Sequence, residues 1–293
     1  MRVERVYDWS FDDGIEERDP TRLDPNMIPQ GATRLGHISD THLGKGSPGR
    51  RQRQLRRWLE TLSGLDVDAI IHSGDLVEVA DDDDEIDRAF ALFDKMTTPV
   101  LGVPGNHDVK EPAEAGEVNR RWGPFPRSVA VGALRLWLLD SMAWPPVDQR
   151  SPEEHQSAEE SGFYSRGALG PSQLKQLAEE FKNAGDPTGP EVAVVHHHLR
   201  QPIPPKPFYE ENADLMAPLD DADDLIEVLR RRGVQLVLHG HRHQYVTPYA
   251  PFEDLVILNA GSSTPGTTPL RARLVDIADS ESAIRIWELV RFR

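Results

Sequence analysis

Residues 69–75 read AIIHSGD, a short apolar run that ends at a glycine and an acid. Such a run predicts a strand buried on both faces, and Gly74 permits a tight turn that exposes the carboxylate of Asp75. On either side of this run, we predict further strands at residues 33–38 and 100–103, with helices at about residues 50–63 and 85–95 between the strands. This βαβαβ order predicts a largely parallel sheet in an α/β protein.

The alternation continues downstream. We predict strands at residues 131–140, 191–195, 236–238, 255–260, 271–276 and 283–290, and helices at residues 172–182 and 222–231. So many strands fit two sheets packed face to face, with helices on the outer surfaces. Residues 1–32 mix acids and prolines with few periodic apolar positions, so we expect an N-terminal extension ahead of a single domain at residues 33–293.

The composition narrows the functional classes. The chain has no cysteine, which excludes disulfides, iron–sulfur clusters and thiolate zinc sites, so any metal must be bound by histidine, carboxylate or amide oxygen. A net charge of -16 argues against extended nucleic acid as a partner, and we interpret the basic stretch at residues 50–57 as the solvated face of a helix. Without a run of about 18 apolar residues or a signal-like N-terminus, we expect a cytoplasmic protein with no membrane segment.

Polar residues follow the first three predicted strands. Asp40 and His42 stand two apart, where alternate side chains point the same way, so both can reach one ion. Asp75 follows the second strand, and its two oxygens suit it to bridge two cations. After the third strand, Asn106 offers a neutral oxygen to a metal, while the adjacent His107 faces differently and can donate a proton.

Two histidine stretches follow later strands. We expect at least one of His196, His197 and His198 to bind a metal, with His196 best placed because it directly ends its strand. His241 and His243 are again two apart, so they could bind one ion each or share one. Histidines inside or beside apolar runs are expected to be core residues rather than ligands: His37, His72 and His239.

Five short stretches, in this order, resemble the calcineurin-like metallophosphoesterase superfamily: residues 40–42 (DTH), 74–75 (GD), 105–108 (GNHD), 196–198 (HHH) and 240–243 (GHRH). The resemblance covers about residues 33–265. The stretches at 74–78 (GDLVE), 103–108 (VPGNHD), 167–174 (GALGPSQL) and 237–243 (VLHGHRH) look most like the bacterial cyclic-nucleotide phosphodiesterase branch. The resemblance implies a four-layer αββα sandwich with two mixed β-sheets and a two-metal centre at the carboxyl ends of the strands.

The resemblance also implies two sets of ligands that share one carboxylate. The first ion would be held by Asp40, His42, Asp75 and His243. The second would be held by Asp75, Asn106, His196 and His241.

Further roles follow from the same resemblance. His107 would be the catalytic acid that protonates the leaving oxygen. Glu78 stands where related phosphatases carry an aspartate that orients this histidine, so the charge is preserved on a longer arm. His198 is a departure, because members of the branch commonly continue from two histidines into proline.

The expected activity is hydrolysis of a phosphodiester of a cyclic or small nucleotide by a metal-activated hydroxide, with manganese, iron or zinc as the candidate ions. Three alternatives stay open: a phosphomonoesterase or nucleotide pyrophosphatase, a nuclease, and a non-catalytic scaffold. Substrate choice would lie in loops that cover the centre. Among these is the segment 199–219, where prolines next to Phe208 and Tyr209 suggest a stiff aromatic lip. The oligomeric state cannot be read from the sequence.

Overall fold

The computed structural model describes residues 1–46, 49–80, 82–110, 116–144, 149–161, 164–200, 218–243, 247–261, 263, 270–278 and 283–291. The strands within this part of the chain are β1 (Arg2–Ser10), β2 (Gly14–Arg18), β3 (Ala32–Ile38), β4 (Ala69–His72), β5 (Val100–Gly102), β6 (Arg127–Val131), β7 (Leu134–Leu138), β8 (Glu191–Val194), β9 (Leu236–His239), β10 (Tyr249–Phe252), β11 (Leu255–Asn259), β12 (Leu270–Ala278) and β13 (Ile284–Arg291). The α-helices are α1 (Arg50–Ser63), α2 (Asp83–Phe93), α3 (Glu117–Trp122), α4 (Pro152–Ser161), α5 (Gly170–Asn183) and α6 (Ala222–Arg232).

The larger sheet has seven strands in the order β2-β1-β13-β12-β3-β4-β5. Strands β3, β4 and β5 run parallel, with Leu35 opposite Ala69 and Ile70 opposite Val100. Helices α1 and α2 make the crossovers between them, because parallel neighbours cannot be joined by a tight turn. The remaining pairs are antiparallel. The three parallel strands therefore deliver their carboxyl ends to one edge of the sheet.

The smaller sheet has six strands in the order β10-β11-β9-β8-β7-β6. Its four central strands, β11, β9, β8 and β7, are parallel, and antiparallel β10 and β6 lie at the two edges. Both sheets are therefore mixed.

Three buried apolar clusters separate four layers. Adjacent residues of one strand serve opposite faces, as the two-residue period of a strand requires. On β4, Ile71 faces the cluster between the two sheets, and Ile70 faces the cluster that holds Trp58 of α1. On β9, Leu238 packs between the sheets while Val237 packs in the cluster formed with α5 and α6. The expected αββα sandwich is confirmed.

Helix α1 shows how the sequence builds an outer layer. Leu55, Trp58, Leu59 and Leu62 recur at three- and four-residue spacing, and all are fully buried in the cluster against the larger sheet. On its other side, arginines at positions 53, 56 and 57 are exposed. The basic stretch therefore lies largely on a solvated helix face, as predicted.

Where an extension was expected, the chain begins with two strands of the larger sheet. Strand β1 pairs with β13, β2 pairs with β1, and Val6 and Trp9 are buried in the core. The polar residues that obscured this pattern are cross-strand partners: Asp8 lies 2.6 Å from Arg285 of β13 and 3.0 Å from Arg18 of β2. Residues 2–18 thus form part of the sheet instead of preceding it.

The strand predicted at residues 131–140 corresponds to β7, which is the second arm of a hairpin that begins earlier, with β6. Strands β6 and β7 pair antiparallel through a turn at Gly132 and Ala133, in which Gly132 has a φ of 56°. That backbone region favours glycine, so the turn breaks the apolar run in two.

Among the described residues, no helix combines the length and apolar content needed to span a bilayer. The aromatic lip expected in the segment 199–219 lies for the most part outside the described residues.

Candidate metal centre

The chemistry-bearing stretches of both sheets meet at one edge of the sandwich. Asp40, Asp75 and Asn106 follow β3, β4 and β5 of the larger sheet, and His196 and His241 follow β8 and β9 of the smaller one. The loops are tied together directly, because the amide of Asp40 donates to the carbonyl of Gly74 and the amide of Gly240 donates to the carbonyl of His196. The seven residues proposed as ligands from the sequence are all brought to this edge.

The first group contains Asp40, His42, Asp75 and His243, each of which places one ligand atom within 4.8 Å of the others. Nε2 of His42 lies 2.8 Å from Nε2 of His243 and 3.5 Å from Oδ2 of Asp75. Nε2 of His243 lies 3.3 Å from Oδ1 of Asp40. Two ring nitrogens and two carboxylates thus converge on one point.

The second group uses the other oxygen of Asp75. Oδ1 of Asp75 lies 3.4 Å from Nε2 of His196, which in turn is 3.1 Å from Oδ1 of Asn106. Nδ1 of His241 lies 3.1 Å from the same amide oxygen and 3.3 Å from Nε2 of His196. Asp75 therefore stands between the two groups, with one oxygen toward each.

These separations fit two metal ions. Ligand atoms bound at about 2.1 Å from one ion lie about 3.0–3.4 Å from each other in octahedral or tetrahedral arrangements. The seven distances between ligand atoms given for the two groups run from 2.8 to 3.5 Å. Imidazole, carboxylate and amide oxygen form a donor set that suits manganese, iron or zinc. The buried carboxylates also need positive charge nearby, since an uncompensated buried charge is costly.

Hydrogen bonds at the back of His196 fix which nitrogen faces the group. Nδ1 of His196 donates to the carbonyl of Ser73 at 2.8 Å, which leaves Nε2 to offer its lone pair toward Asp75 and Asn106. A ligating histidine commonly has its second nitrogen held in this way.

Electrostatics without ions favour charged histidine next to Asp75. Burial alone would raise the pKa of Asp75, but the charges of His196 and His107 outweigh it and hold that pKa well below its usual range. Burial opposes protonation of His196, yet the adjacent Asp75 carboxylate raises the pKa of His196 to about 9. Burial holds the pKa of His241 well below its usual value. Metal uptake would therefore displace a proton from His196 and find His241 already neutral.

The backbone at this edge is strained at residues that the sequence proposed as ligands. Six residues other than glycine have positive φ in the described part of the chain, and five of them belong to the two groups. Those five are Asp40 (54°), His42 (44°), Asp75 (55°), His241 (67°) and His243 (51°). Such strain persists only where the surrounding structure enforces it, and it clusters at functional sites.

Two glycines allow the loops to approach each other. A Cβ on Gly74 would collide with the ring of His196, and Gly74 also has a φ of 99°. A Cβ on Gly105 would collide with the carboxylate and amide of Asp75. Both positions thus require glycine, one for its backbone conformation and both for space.

His107 lies beside the first group. Its backbone amide donates to Oδ1 of Asp75 at 3.0 Å, and its Nδ1 donates to the backbone carbonyl of Glu78 at 3.0 Å. The ring stands edge-on to that of His42, with centroids 4.6 Å apart. The resemblance implied that the side chain of Glu78 orients His107. The hydrogen bond to this ring comes from the backbone of Glu78, and a carboxylate oxygen of Glu78 lies within 4.8 Å of one of the ring nitrogens.

Asp108, for which the sequence predicted no role, is fully buried and ties two loops together. Its Oδ2 accepts from the amides of Leu76 at 3.1 Å and Gly105 at 2.9 Å, and its Oδ1 accepts from the amide of Val77 at 3.0 Å. Burial, with the charge of Asp75 next, raises the pKa of Asp108 to about 7 despite these bonds. The sequence did contain a signal for this role. Asp108 is an acid at the end of the 105–108 stretch to which no metal had been assigned.

Five further histidines are buried outside the two groups. Those predicted to be core residues, His37, His72 and His239, are all buried. His197 is used on both sides, with Nδ1 at 2.7 Å from the hydroxyl of Ser141 and Nε2 at 3.1 Å from the carbonyl of Ser165. His198 is buried, and neither of its ring nitrogens makes a hydrogen bond to any described residue.

A model of the family described as calcineurin-like phosphoesterase matches residues 33–245. Among solved structures, the chain is similar to a dimetal phosphatase from Danio rerio, with a TM-score of 0.61 and 14% identity over 88% of this chain and 98% of that one. It is also similar to the purple acid phosphatase PPD1 from yellow lupin seeds, with a TM-score of 0.53 and 15% identity over 90% of this chain and 52% of that one. GAP50, the anchor in the inner membrane complex of Plasmodium, gives a TM-score of 0.51 and 12% identity over 89% of this chain and 84% of that one. At such identities these likenesses show the fold alone, and no curated protein matches the chain significantly.

Proposed function

Because the chain belongs to the calcineurin-like phosphoesterase family and is a metal-dependent phosphoester hydrolase that uses two divalent ions, we propose that it is a phosphodiesterase acting on cyclic or small nucleotides. The single observation that carries the site assignment is the position of Asp75. One of its oxygens lies 3.5 Å from His42 and the other 3.4 Å from His196, so a single carboxylate can bridge two ions.

The proposed ligands fall into the two groups described above. One ion would be held by Asp40, His42, Asp75 and His243, and the other by Asp75, Asn106, His196 and His241. Manganese, iron and zinc are the proposed metals, because nitrogen and oxygen donors are combined without any thiolate. When bound, two such ions lower the pKa of a water and offset the charge that develops at phosphorus.

His107 is proposed to supply the proton for the leaving oxygen. Its Nδ1 donates to the carbonyl of Glu78, so Nε2 is the nitrogen that can exchange a proton with substrate. The amide bond to Asp75 fixes the position of His107 relative to the shared carboxylate. General acid catalysis of this kind contributes about 10²–10⁴-fold to the rate.

Preference for a diester is supported by the stretches at residues 74–78, 103–108, 167–174 and 237–243, which look most like the cyclic-nucleotide phosphodiesterase branch. The two phosphatases among the similar structures make a monoester the main competing substrate class. A cytoplasmic location stays a prediction.

The test compares manganese-supplemented hydrolysis of bis(p-nitrophenyl) phosphate with that of p-nitrophenyl phosphate. We expect faster turnover of the diester, and loss of both activities in Asp75→Asn. Asp66→Asn is the matched control, since Asp66 is an exposed acid with a φ of 54°, close to the 55° of Asp75. Preference for the monoester would replace the phosphodiesterase proposal with a phosphatase. Full activity in Asp75→Asn would refute the proposed centre.

A further inference from the structure

We propose that the carboxylate of Glu78 positions the metal ligand His42 and does not act through the acid His107. The inference rests on the proposed function, because it takes His42 as a ligand. It departs from the arrangement that the family resemblance implied, in which this position orients the acid.

Among the described residues, the carboxylate of Glu78 lies closest to His42 and Lys45. Its Oε2 lies 2.9 Å from Nδ1 of His42, an ion-pair distance at which the angles are not those of a hydrogen bond, and its Oε1 lies 2.5 Å from the ammonium nitrogen of Lys45. Nδ1 of His107 bonds to the backbone of Glu78, 3.0 Å from the carbonyl oxygen, and the Glu78 carboxylate comes only within 4.8 Å of a nitrogen of that ring. The hydrogen bond that holds His107 is therefore available whatever side chain stands at position 78.

The contact with His42 is of the kind that tunes a ligand. Nε2 of His42 faces the first group, 2.8 Å from Nε2 of His243, while Nδ1 faces Glu78. A carboxylate close to the second nitrogen favours the tautomer that carries its proton on Nδ1, and it makes the ligating nitrogen more basic. The longer side chain of Glu78 makes this contact with His42. The aspartate that related phosphatases carry at this position orients the histidine equivalent to His107.

His42, Glu78 and His107 also form a group that could itself hold a cation. Lys45 argues against this use, because its ammonium already offsets the charge of the Glu78 carboxylate. The number of ions per chain distinguishes the two roles, since a third site would disappear when the carboxylate is removed.

The test measures manganese binding to the metal-stripped full chain, with free Mn²⁺ followed by electron paramagnetic resonance. We compare Glu78→Gln and His107→Gln, with the exposed Glu60→Gln of α1 as the matched control. Turnover of each loaded protein is then measured on aryl diesters with good and poor leaving groups. We expect Glu78→Gln to bind one of two ions about 10–100-fold more weakly, with an unchanged ratio of rates between the leaving groups.

We expect His107→Gln to give the opposite pattern, with both ions bound normally and a selective loss on the poor leaving group. Equal unfolding midpoints of the metal-free proteins would show that Glu78→Gln folds normally, as an isosteric change at a partly exposed side chain should. If Glu78→Gln binds both ions as tightly as the unsubstituted protein, with or without a leaving-group effect, this inference is overturned and the proposed function is not. Three ions in the unsubstituted protein that fall to two in Glu78→Gln would also overturn it. Fewer than two ions in the unsubstituted protein would overturn the proposed function as well.

Discussion

Two substitutions of Asp108 distinguish the contribution of its hydrogen bonds to stability from the contribution of its charge. Oδ2 accepts from the amides of Leu76 and Gly105, and Oδ1 accepts from the amide of Val77. In Asp108→Asn an oxygen can keep the position of Oδ2 and its two bonds, so one amide loses its acceptor. In Asp108→Ala all three amides lose theirs. Both changes remove the same charge. The difference in stability between the two variants therefore measures the contribution of two buried amides, those of Leu76 and Gly105.

A buried amide without an acceptor costs about 1–3 kcal/mol, so Asp108→Ala should be less stable than Asp108→Asn by about 2–6 kcal/mol. The assay is equilibrium unfolding of the metal-free proteins in urea, with the two free energies of unfolding extrapolated to water. Agreement of the two values within about 1 kcal/mol would refute the assignment of these hydrogen bonds.

The same variants should affect turnover, because Asp108 belongs to the loop after β5 and grips the loop after β4. These hydrogen bonds position Asn106 and His107 relative to Asp75. A displacement of such residues by about 1 Å can lower the rate about 100-fold. We expect at least that loss of diesterase activity in Asp108→Ala. Near-normal turnover in a destabilised Asp108→Ala would show that the loops keep their relative position without the carboxylate.

Three further changes have defined outcomes. His107→Ala should retain both metals yet lose about 10²–10⁴-fold on a poor leaving group and little on an activated aryl one, and equal losses on the two esters would argue against the acid role. Trp9→Ala should lower the free energy of unfolding by about 3–5 kcal/mol in urea, because Trp9 of β1 is 1% exposed, and a loss below about 1 kcal/mol would mean that β1 is not part of the core. Arg34→Met should cost about 3–5 kcal/mol in the same measurement, since it leaves the buried Asp276 carboxylate unpaired, and a neutral effect would contradict the buried pair.

The buried pair in the last prediction is fully satisfied. The guanidinium of Arg34 donates to both oxygens of Asp276, at 2.5 and 2.9 Å, and to the carbonyls of Pro25, Met27 and Leu65. It therefore fastens the segment before β3 to the larger sheet.

Local patterns predicted the parts of the fold whose period is carried by consecutive residues. The helix predicted at residues 50–63 has those bounds, because the apolar residues of α1 recur at helical spacing. Strand β1 was missed for the converse reason. Its charged residues find their partners across the sheet, and Arg285 is 277 residues away from Asp8. Such a pairing has no signal in a local window.

The proposed ligands could be named from the sequence because each follows a predicted strand, and strand ends gather at one edge. The directions of individual side chains could not be predicted. The carboxylate of Glu78 lies closest to His42, and Asp108 accepts from three backbone amides. Both directions are set by the conformations of the loops after β4 and β5, which no local pattern predicts. The spacing of polar residues thus predicted which residues lie at this edge, and the conformation of the loops determined which atoms their side chains contact.

The left-handed backbone at five of the proposed ligands has a consequence for how this chain persists under mutation. Each such residue is held at a cost of about 1–2 kcal/mol, so the five together store about 5–10 kcal/mol, which is comparable with the whole net stability of a typical domain. Selection on stability alone would favour glycine or asparagine at these positions. Under the proposed ligand assignment, metal binding by the side chains is what retains aspartate and histidine at these positions. The positions of the residues with left-handed backbone would therefore identify this edge of the sandwich as a candidate site without any sequence motif.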